Sequence, residues 1–156
     1  MEKNTSDSPN PLKLTFKLTL NQPIELVYDG LTSAEHLQHW YGPEHVEITS
    51  ATSNPEVDGQ YCIEMHQKDD PTIMRFLGKY LEINPPTMLS YTSAFSMGEQ
   101  NSPTQKTKIT ITLQEKSDLT ELNFEQTGFA DKRSLEGARR SWPGIYDNFS
   151  SYLESL

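Results

Sequence analysis

The chain has 156 residues and a formal net charge of −9. That length suits one domain with a sizeable apolar core. This negative charge disfavours binding to nucleic acids and anionic membranes, because proteins bind both through Lys and Arg side chains that neutralise phosphates. The single cysteine, Cys62, excludes an internal disulfide and indicates a reducing compartment.

The N-terminal segment, residues 1–11, is polar and ends at Asn10-Pro11. It lacks the basic start and apolar run of a signal peptide. No stretch of the chain approaches the roughly 20 apolar residues of a transmembrane helix. We therefore expect a disordered leader over residues 1–11, a single domain over residues 12–156, and a cytoplasmic protein without membrane insertion.

The first elements are a strand and two short helices. Residues 12–20 alternate apolar with polar side chains, and this period of two predicts a half-buried strand. Pro23 is well placed in the first turn of a helix. Thr32 or Ser33 can cap a second short helix, which residues 42–43 end.

Strands dominate the middle of the chain. The pattern predicts them at residues 46–51, 57–67, 72–83, 88–95, 106–114 and 119–126. Turns of hairpin length between them indicate antiparallel pairing. Gly78 lies inside one of these strands, where we expect a bulge or a close approach of two backbones.

The C-terminal region returns to helical periodicity after Gly128. Its apolar positions recur at spacings of three and four residues, from Trp142 to Leu156. Pro143 leaves two alternatives, a continuous helix kinked there and begun near Asp131, which we favour, or a helix capped by Ser141. The order of elements predicts an α+β domain, in which a curved antiparallel sheet of six to seven strands wraps around the long last helix.

Five segments resemble a known family. They are residues 37–43 (LQHWYGP), 57–61 (VDGQY), 78–89 (GKYLEINPPTML), 120–129 (TELNFEQTGF) and the pair Ser141-Trp142. In this order they resemble motifs of START-like (SRPBCC) domains, and in particular of homologues of the C-terminal domain of the activator of heat-shock protein 90 ATPase. The resemblance covers about residues 12–155 and implies the helix-grip fold. Members of this superfamily bind lipids and hormones, cyclise polyketides or assist a chaperone.

Three positions depart from the family pattern. Ser141 replaces the usual glycine before the tryptophan, and Pro143 follows that tryptophan directly. Gln126 stands where the family often has histidine. The first two departures lie on the helix that would cover a cavity.

Aromatic and methionine side chains are the first candidates for a site. They either surround a cavity for an apolar ligand between the sheet and the last helix or pack as an ordinary core. The set comprises Trp40, Tyr61, Met65, Met74, Phe76, Tyr91, Phe95, Phe124, Trp142, Tyr146 and Phe149.

Glu64, His66 and Arg75 are candidate polar groups of that cavity. Facing inward, they could orient a polar ligand head or perform acid–base chemistry. They alternate with apolar residues along the predicted strands, however, and the alternative that they face solvent is the one we favour.

Three histidines, His36, His39 and His45, raise the question of a metal site. Gly42-Pro43 separates the last from the other two and no cysteine lies near. We favour a surface cluster and expect neither a metal nor a cofactor. The chain also lacks the GxSxG, P-loop and GxGxxG patterns of common enzyme classes.

The leading hypothesis is therefore non-enzymatic binding of a small apolar or amphipathic ligand in a cavity between the sheet and the C-terminal helix. One alternative is a chaperone-associated module that binds a protein through an exposed patch. The candidate places for such a patch are the basic residues Lys132, Arg133, Arg139 and Arg140 and the Trp40-Tyr41 loop. Another alternative is a cyclase or hydrolase-type enzyme that uses the same cavity.

Overall fold

The expected α+β order is confirmed by a computed structural model, which describes residues 12–42, 45–98 and 106–156. The leader expected over residues 1–11 lies outside the described residues. In chain order the elements are strand β1 (Lys13–Leu20), helices α1 (Ile24–Thr32) and α2 (Ala34–Trp40), strands β2 (Val46–Ser53), β3 (Gln60–Gln67), β4 (Met74–Asn84), β5 (Met88–Met97), β6 (Thr107–Lys116) and β7 (Leu119–Thr127), and helix α3 (Lys132–Glu154).

The described strands form one curved antiparallel sheet in the order β1-β7-β6-β5-β4-β3-β2. Consecutive hairpins place β2 at one edge, and β1 returns to pair with β7 at the other. This register sets Phe16 opposite Phe124, and their rings stack with centroids 4.5 Å apart. The apolar side chains of β1 therefore join the core, as their period of two indicates.

Gly78 lies where two backbones approach closely. A Cβ atom at this position would overlap the main-chain carbonyl of Thr92 on β5, so only glycine fits without a shift. The expected close approach is thus confirmed, and the irregularity of register in this pair lies between Tyr80 and Glu82. The start of β3 differs from the expectation because Asp58, at φ 69°, turns the chain before Gln60.

Helix α3 is continuous from Lys132 to Glu154, with Pro143 inside it. Its N-cap residue is Asp131, whose side chain accepts a hydrogen bond from the Ser134 backbone N–H at 2.8 Å. The alternative in which a helix begins at Ser141 is therefore wrong. None of the described helices has both the length and the apolar composition needed to cross a membrane.

The C-terminal half of α3 packs tightly against α1 and α2. The centroids of the Phe149 and Trp40 rings are 4.3 Å apart, and Trp40 Nε1–H donates to the Gly30 carbonyl at 2.9 Å. A Cβ atom at Gly30 would come within 2.8 Å of the Phe149 ring. This part of the helix is solid core, so any space for a ligand lies nearer its N-terminal end.

Candidate ligand-binding cavity

A cavity of about 370 Å³ lies between the first half of α3 and the strands that face it. Small-molecule sites usually measure about 300–1,000 Å³. Strands β4, β5, β6 and β7 form its floor, and the β7–α3 connection closes one end. Ser134 and Ser141 line it and are exposed, so the cavity opens to solvent beside the helix.

Small side chains on α3 create this space. Ser134, Gly137, Ala138 and Ser141 all line the cavity, and their spacing places them on one face of the helix. A Cβ atom added to Gly137 would meet no heavy atom within 4 Å. The helix therefore passes over the sheet here without filling the gap between them.

Aromatic rings line the opposite wall. Phe76 on β4 contacts Phe95 on β5 with ring centroids 5.2 Å apart, and it faces Trp142 of α3 at 6.2 Å. Phe129, from the β7–α3 connection, and Ile145 complete the apolar surface. Such walls favour a ligand whose apolar surface leaves water on binding.

One hydrogen-bond chain crosses the cavity lining. Trp142 Nε1–H donates to Gln126 Oε1 at 2.8 Å, and Gln126 Nε2–H donates to Thr107 Oγ1 at 2.9 Å. Thr107 Oγ1–H then donates to the Ser93 carbonyl at 3.1 Å. All four residues line the cavity. Their indole, amide, hydroxyl and carbonyl groups are neutral, so they would orient a ligand through hydrogen bonds without charge.

The family of the chain follows from its sequence as a whole. The model of the Activator of Hsp90 ATPase homolog 1-like protein family matches residues 21–154. The chain belongs to this family. That match spans both short helices, the sheet from β2 onward and α3, and it therefore contains the cavity.

Solved structures similar to this Activator of Hsp90 ATPase homolog 1-like chain share its fold. A protein of Chromobacterium violaceum is 24% identical, with a TM-score of 0.78 over 90% of this chain and 96% of its own. A protein of Arthrobacter aurescens reaches a TM-score of 0.80 at 17% identity, covering 93% of this chain and 87% of its own. An AHSA1-like protein of Aeromonas hydrophila has a TM-score of 0.72 at 19% identity, over 91% and 93% of the two chains. None of the curated proteins compared with the chain matches it.

The candidate aromatic and methionine residues fall into three settings in this family member. Phe76, Phe95 and Trp142 line the cavity. Tyr61 and Tyr91 line a separate void of about 10 Å³, which is room for about one water molecule. The other six lie outside both linings, and all are buried in the core: Trp40, Met65, Met74, Phe124, Tyr146 and Phe149.

The candidate polar groups lie on the other face of the sheet. Glu64, His66 and Arg75 alternate with the buried side chains of β3 and β4, and none of the three lines the cavity. Arg75 Nε donates to Glu64 Oε2 at 2.6 Å, and His66 Nε2 lies 3.4 Å from Glu47 Oε2. All three side chains are half-buried on this face and lie outside the cavity lining.

Two of the three histidines contact α3. His36 Nδ1 lies 2.7 Å from the Tyr152 hydroxyl, and the His39 ring stacks on the Tyr152 ring with centroids 5.2 Å apart. Among the described residues, no group of three His, Cys, Asp or Glu side chains is arranged to hold a metal ion. These two histidines hold α2 against the end of α3.

Sequence reasoning missed the small and polar members of the lining. The signal for the first group was present, because Ser134, Gly137, Ala138 and Ser141 repeat at helical spacing. The signal for Gln126 was its departure from the family histidine. Ser93 and Thr107 carry no local signal, since their role depends on the pairing of β5, β6 and β7.

A group of buried phenols lies behind the cavity wall. Burial raises the pKa of Tyr41, Tyr61, Tyr91 and Tyr146, and electrostatic repulsion from a neighbouring phenol raises each pKa further. The Tyr41 and Tyr146 hydroxyls approach that of Tyr91, but neither makes a hydrogen bond of good length and geometry. The Tyr41 ring also contacts Phe76 at 5.4 Å. Neutral hydroxyls therefore lie just beyond the apolar lining.

Proposed function

We propose that the chain binds a small apolar or amphipathic ligand in the cavity between α3 and the sheet, without catalysing a reaction. The observation that carries the proposal is a lining that is apolar over most of its surface and left open by small residues on α3. A well-packed domain has few voids larger than a water molecule. The space of about 370 Å³ opens to solvent, so a ligand can enter it, and its lining is mostly apolar.

The free energy of binding would come mainly from burial of apolar surface. At roughly 25 cal/mol per Å², a ligand that buries about 200 Å² gains about 5 kcal/mol before the entropy of association is subtracted. The hydrogen-bond chain then selects among ligands of similar size. Family membership supports the same proposal, because the fold is one that commonly encloses ligands.

Filling the cavity tests the proposal. The substitution Gly137→Leu places a side chain in the empty space and should abolish binding of an apolar probe such as Nile red. The variant should still fold, because leucine favours a helix over glycine by about 0.8 kcal/mol. Fluorescence titration measures the binding, and thermal unfolding measures the stability.

Gly144→Leu is the matched control. Gly144 lies on the same helix, a Cβ atom there also meets nothing within 4 Å, and the residue does not line the cavity. This variant should gain similar stability and keep full affinity for the probe. The proposal would be contradicted if both variants lost affinity equally, or if Gly137→Leu kept full affinity.

Native mass spectrometry of protein purified from its own host would identify the ligand class. A reproducible stoichiometric adduct, absent from Gly137→Leu and present in Gly144→Leu, is the expected result. Extraction under denaturing conditions then gives the molecule itself.

A second candidate is a chaperone-associated interaction module. The observation in its favour is family membership together with exposed basic residues in the first half of α3, namely Lys132, Arg133, Arg139 and Arg140. Trp40 and Tyr41, the other residues expected in such a patch, are buried and cannot form part of it. Reversing these charges should then weaken binding to purified heat-shock protein 90 while leaving Nile red affinity unchanged. Gly137→Leu should do the opposite, so the two variants separate the candidates.

A cytoplasmic location is part of the proposal. Cys62 is the single cysteine and has no partner for a disulfide within the chain. It is half-buried, and burial raises the pKa of its thiol, which favours an unreactive side chain. A reducing compartment suits such a residue.

A further inference from the structure

We infer that the ligand carries an uncharged hydrogen-bond acceptor, such as a hydroxyl, ketone or ester oxygen, which binds the side-chain amide of Gln126. This inference rests on the proposed binding function. It follows from the direction of the hydrogen bonds in the lining and from the absence of charge in the described part of that lining.

The orientation of the Gln126 amide is fixed by Trp142. An indole N–H only donates, so the amide oxygen must be the atom that faces Trp142 Nε1 at 2.8 Å. The amide nitrogen then points toward Thr107. The chemistry of the neighbouring indole thus determines which end of the amide is which.

The remaining bonds follow in the same direction. The Ser93 carbonyl only accepts, so the single hydroxyl hydrogen of Thr107 is used on it at 3.1 Å. Thr107 Oγ1 therefore accepts one of the two N–H groups of Gln126, at 2.9 Å. The second N–H group has no acceptor among the described residues.

That second N–H group is the binding feature. Gln126 is only 5% exposed, and a buried donor without an acceptor is unfavourable. Because Gln126 lines the cavity, a ligand oxygen is the group in position to accept this hydrogen. An amide N–H group can donate to a neutral oxygen or to a charged one. The residues around it therefore determine which kind of ligand oxygen is favoured.

The surroundings disfavour a carboxylate at this depth. The described lining holds no cationic side chain, and a carboxylate would lose its hydration without gaining an opposite charge. The basic residues Lys132, Arg133 and Arg140 are exposed on α3 and belong to no part of the lining. A neutral oxygen loses much less on transfer from water.

The substitution Gln126→Glu removes only the spare donor. At mildly acidic pH the buried carboxyl group stays protonated. Its carbonyl oxygen accepts from Trp142 and its hydroxyl donates to Thr107, which preserves the rest of the chain of hydrogen bonds. Gln114→Glu, on an exposed position of β6, makes the same change away from the cavity and serves as the control.

The experiment compares octanol with nonane, which has a methyl group in place of the hydroxyl. Affinities are measured by displacement of Nile red from the wild type and from both variants, with thermal unfolding as a check on folding. The ratio of octanol to nonane affinity should fall about fivefold in Gln126→Glu, as loss of one hydrogen bond implies. The ratio should not change in Gln114→Glu.

Three outcomes would overturn the inference. An unchanged ratio in Gln126→Glu, with both probes still bound, rejects the role of the amide and leaves the binding function in place. Tighter binding of octanoate than of octanol by the wild type at neutral pH indicates a charged ligand held at the opening of the cavity. Failure of the wild type to bind Nile red, octanol and nonane rejects the proposed function, and the inference with it.

Discussion

Buried tyrosine hydroxyls differ in whether they make hydrogen bonds. Tyr146 on α3 and Tyr41 after α2 are buried, and neither hydroxyl has a hydrogen-bond partner within the part of the chain that the structure describes. Tyr80 is equally buried, yet its hydroxyl donates to Ser53 Oγ at 2.7 Å, because Ser53 in turn donates to the Thr32 carbonyl. The same side-chain type therefore has opposite energetic effects at different positions.

Phenylalanine substitutions separate these effects. Tyr146→Phe removes an unsatisfied buried hydroxyl and should raise the free energy of unfolding by about 1 kcal/mol. Tyr80→Phe removes a satisfied one and should lower it by about 1 kcal/mol. Urea unfolding with an unchanged m-value measures both. A destabilised Tyr146→Phe would mean that its hydroxyl has a partner, for example an ordered water.

At the scale of elements, α3 has two parts with different environments. Its C-terminal part packs on α1 and α2 through Phe149 and Leu153. Its N-terminal part passes over the cavity and is fixed mainly by Leu135, Trp142 and the cap at Asp131. The cap therefore matters more here than at the start of a helix that lies on solid core.

We expect Asp131→Ala to lower the midpoint of thermal unfolding at neutral pH. The backbone N–H of Ser134 holds the pKa of the Asp131 carboxyl below its usual 3.8. Stability from a lowered pKa is present above the unfolded value and is lost as pH falls through the folded value. The difference between wild type and variant should therefore shrink below about pH 3.8, and Asp131→Asn, which still caps, should lose less. A difference that does not depend on pH would contradict this account.

The elements themselves follow from local sequence patterns, whereas the lining of the cavity does not. The alternation in residues 12–20 and the stripe from Trp142 onward predicted β1 and the buried face of α3. The start of α3 was ambiguous because Pro143 disfavours a helix interior, while the cap at Asp131 favours a longer helix. Tertiary packing supports the longer helix despite the proline.

The whole molecule holds its tyrosines neutral. The pKa of all seven is raised, in each case mainly by burial, and that of Tyr28 reaches about 12. Folded pKa values above the unfolded ones mean that the native state binds these protons more tightly. Their contribution to stability is complete below about pH 10 and is lost as pH rises toward and beyond 12.

We expect alkaline unfolding to be cooperative. Phenolate absorbance should rise steeply over the same narrow pH interval in which circular dichroism reports loss of the sheet, since most tyrosines ionise only when exposed. Tyr152, the least buried of them, should ionise first. Gradual titration of most phenols well before the loss of circular dichroism would show that the interior admits solvent.

The fold of the whole chain was accessible from sequence because the order of strands, short helices and final helix leaves few arrangements. The site was less accessible. Phe76, Phe95 and Trp142 were identified by residue type, but type alone could not separate them from core residues such as Phe124. Whether an aromatic ring borders a space depends on the residues across from it, and the small residues of α3 that leave this space open are not revealed by any local pattern around Phe76.

The small residues of α3 also affect how the native state fluctuates. A helical segment that contacts a void has fewer attractions to lose when it detaches, so its backbone amides should exchange with solvent sooner than those near Phe149. A bound molecule would supply the missing attractions and slow that exchange. Occupancy of the cavity would then be measurable as slower hydrogen exchange of the backbone amides between Leu135 and Trp142. The segment that encloses a ligand would also be the segment that opens to release it.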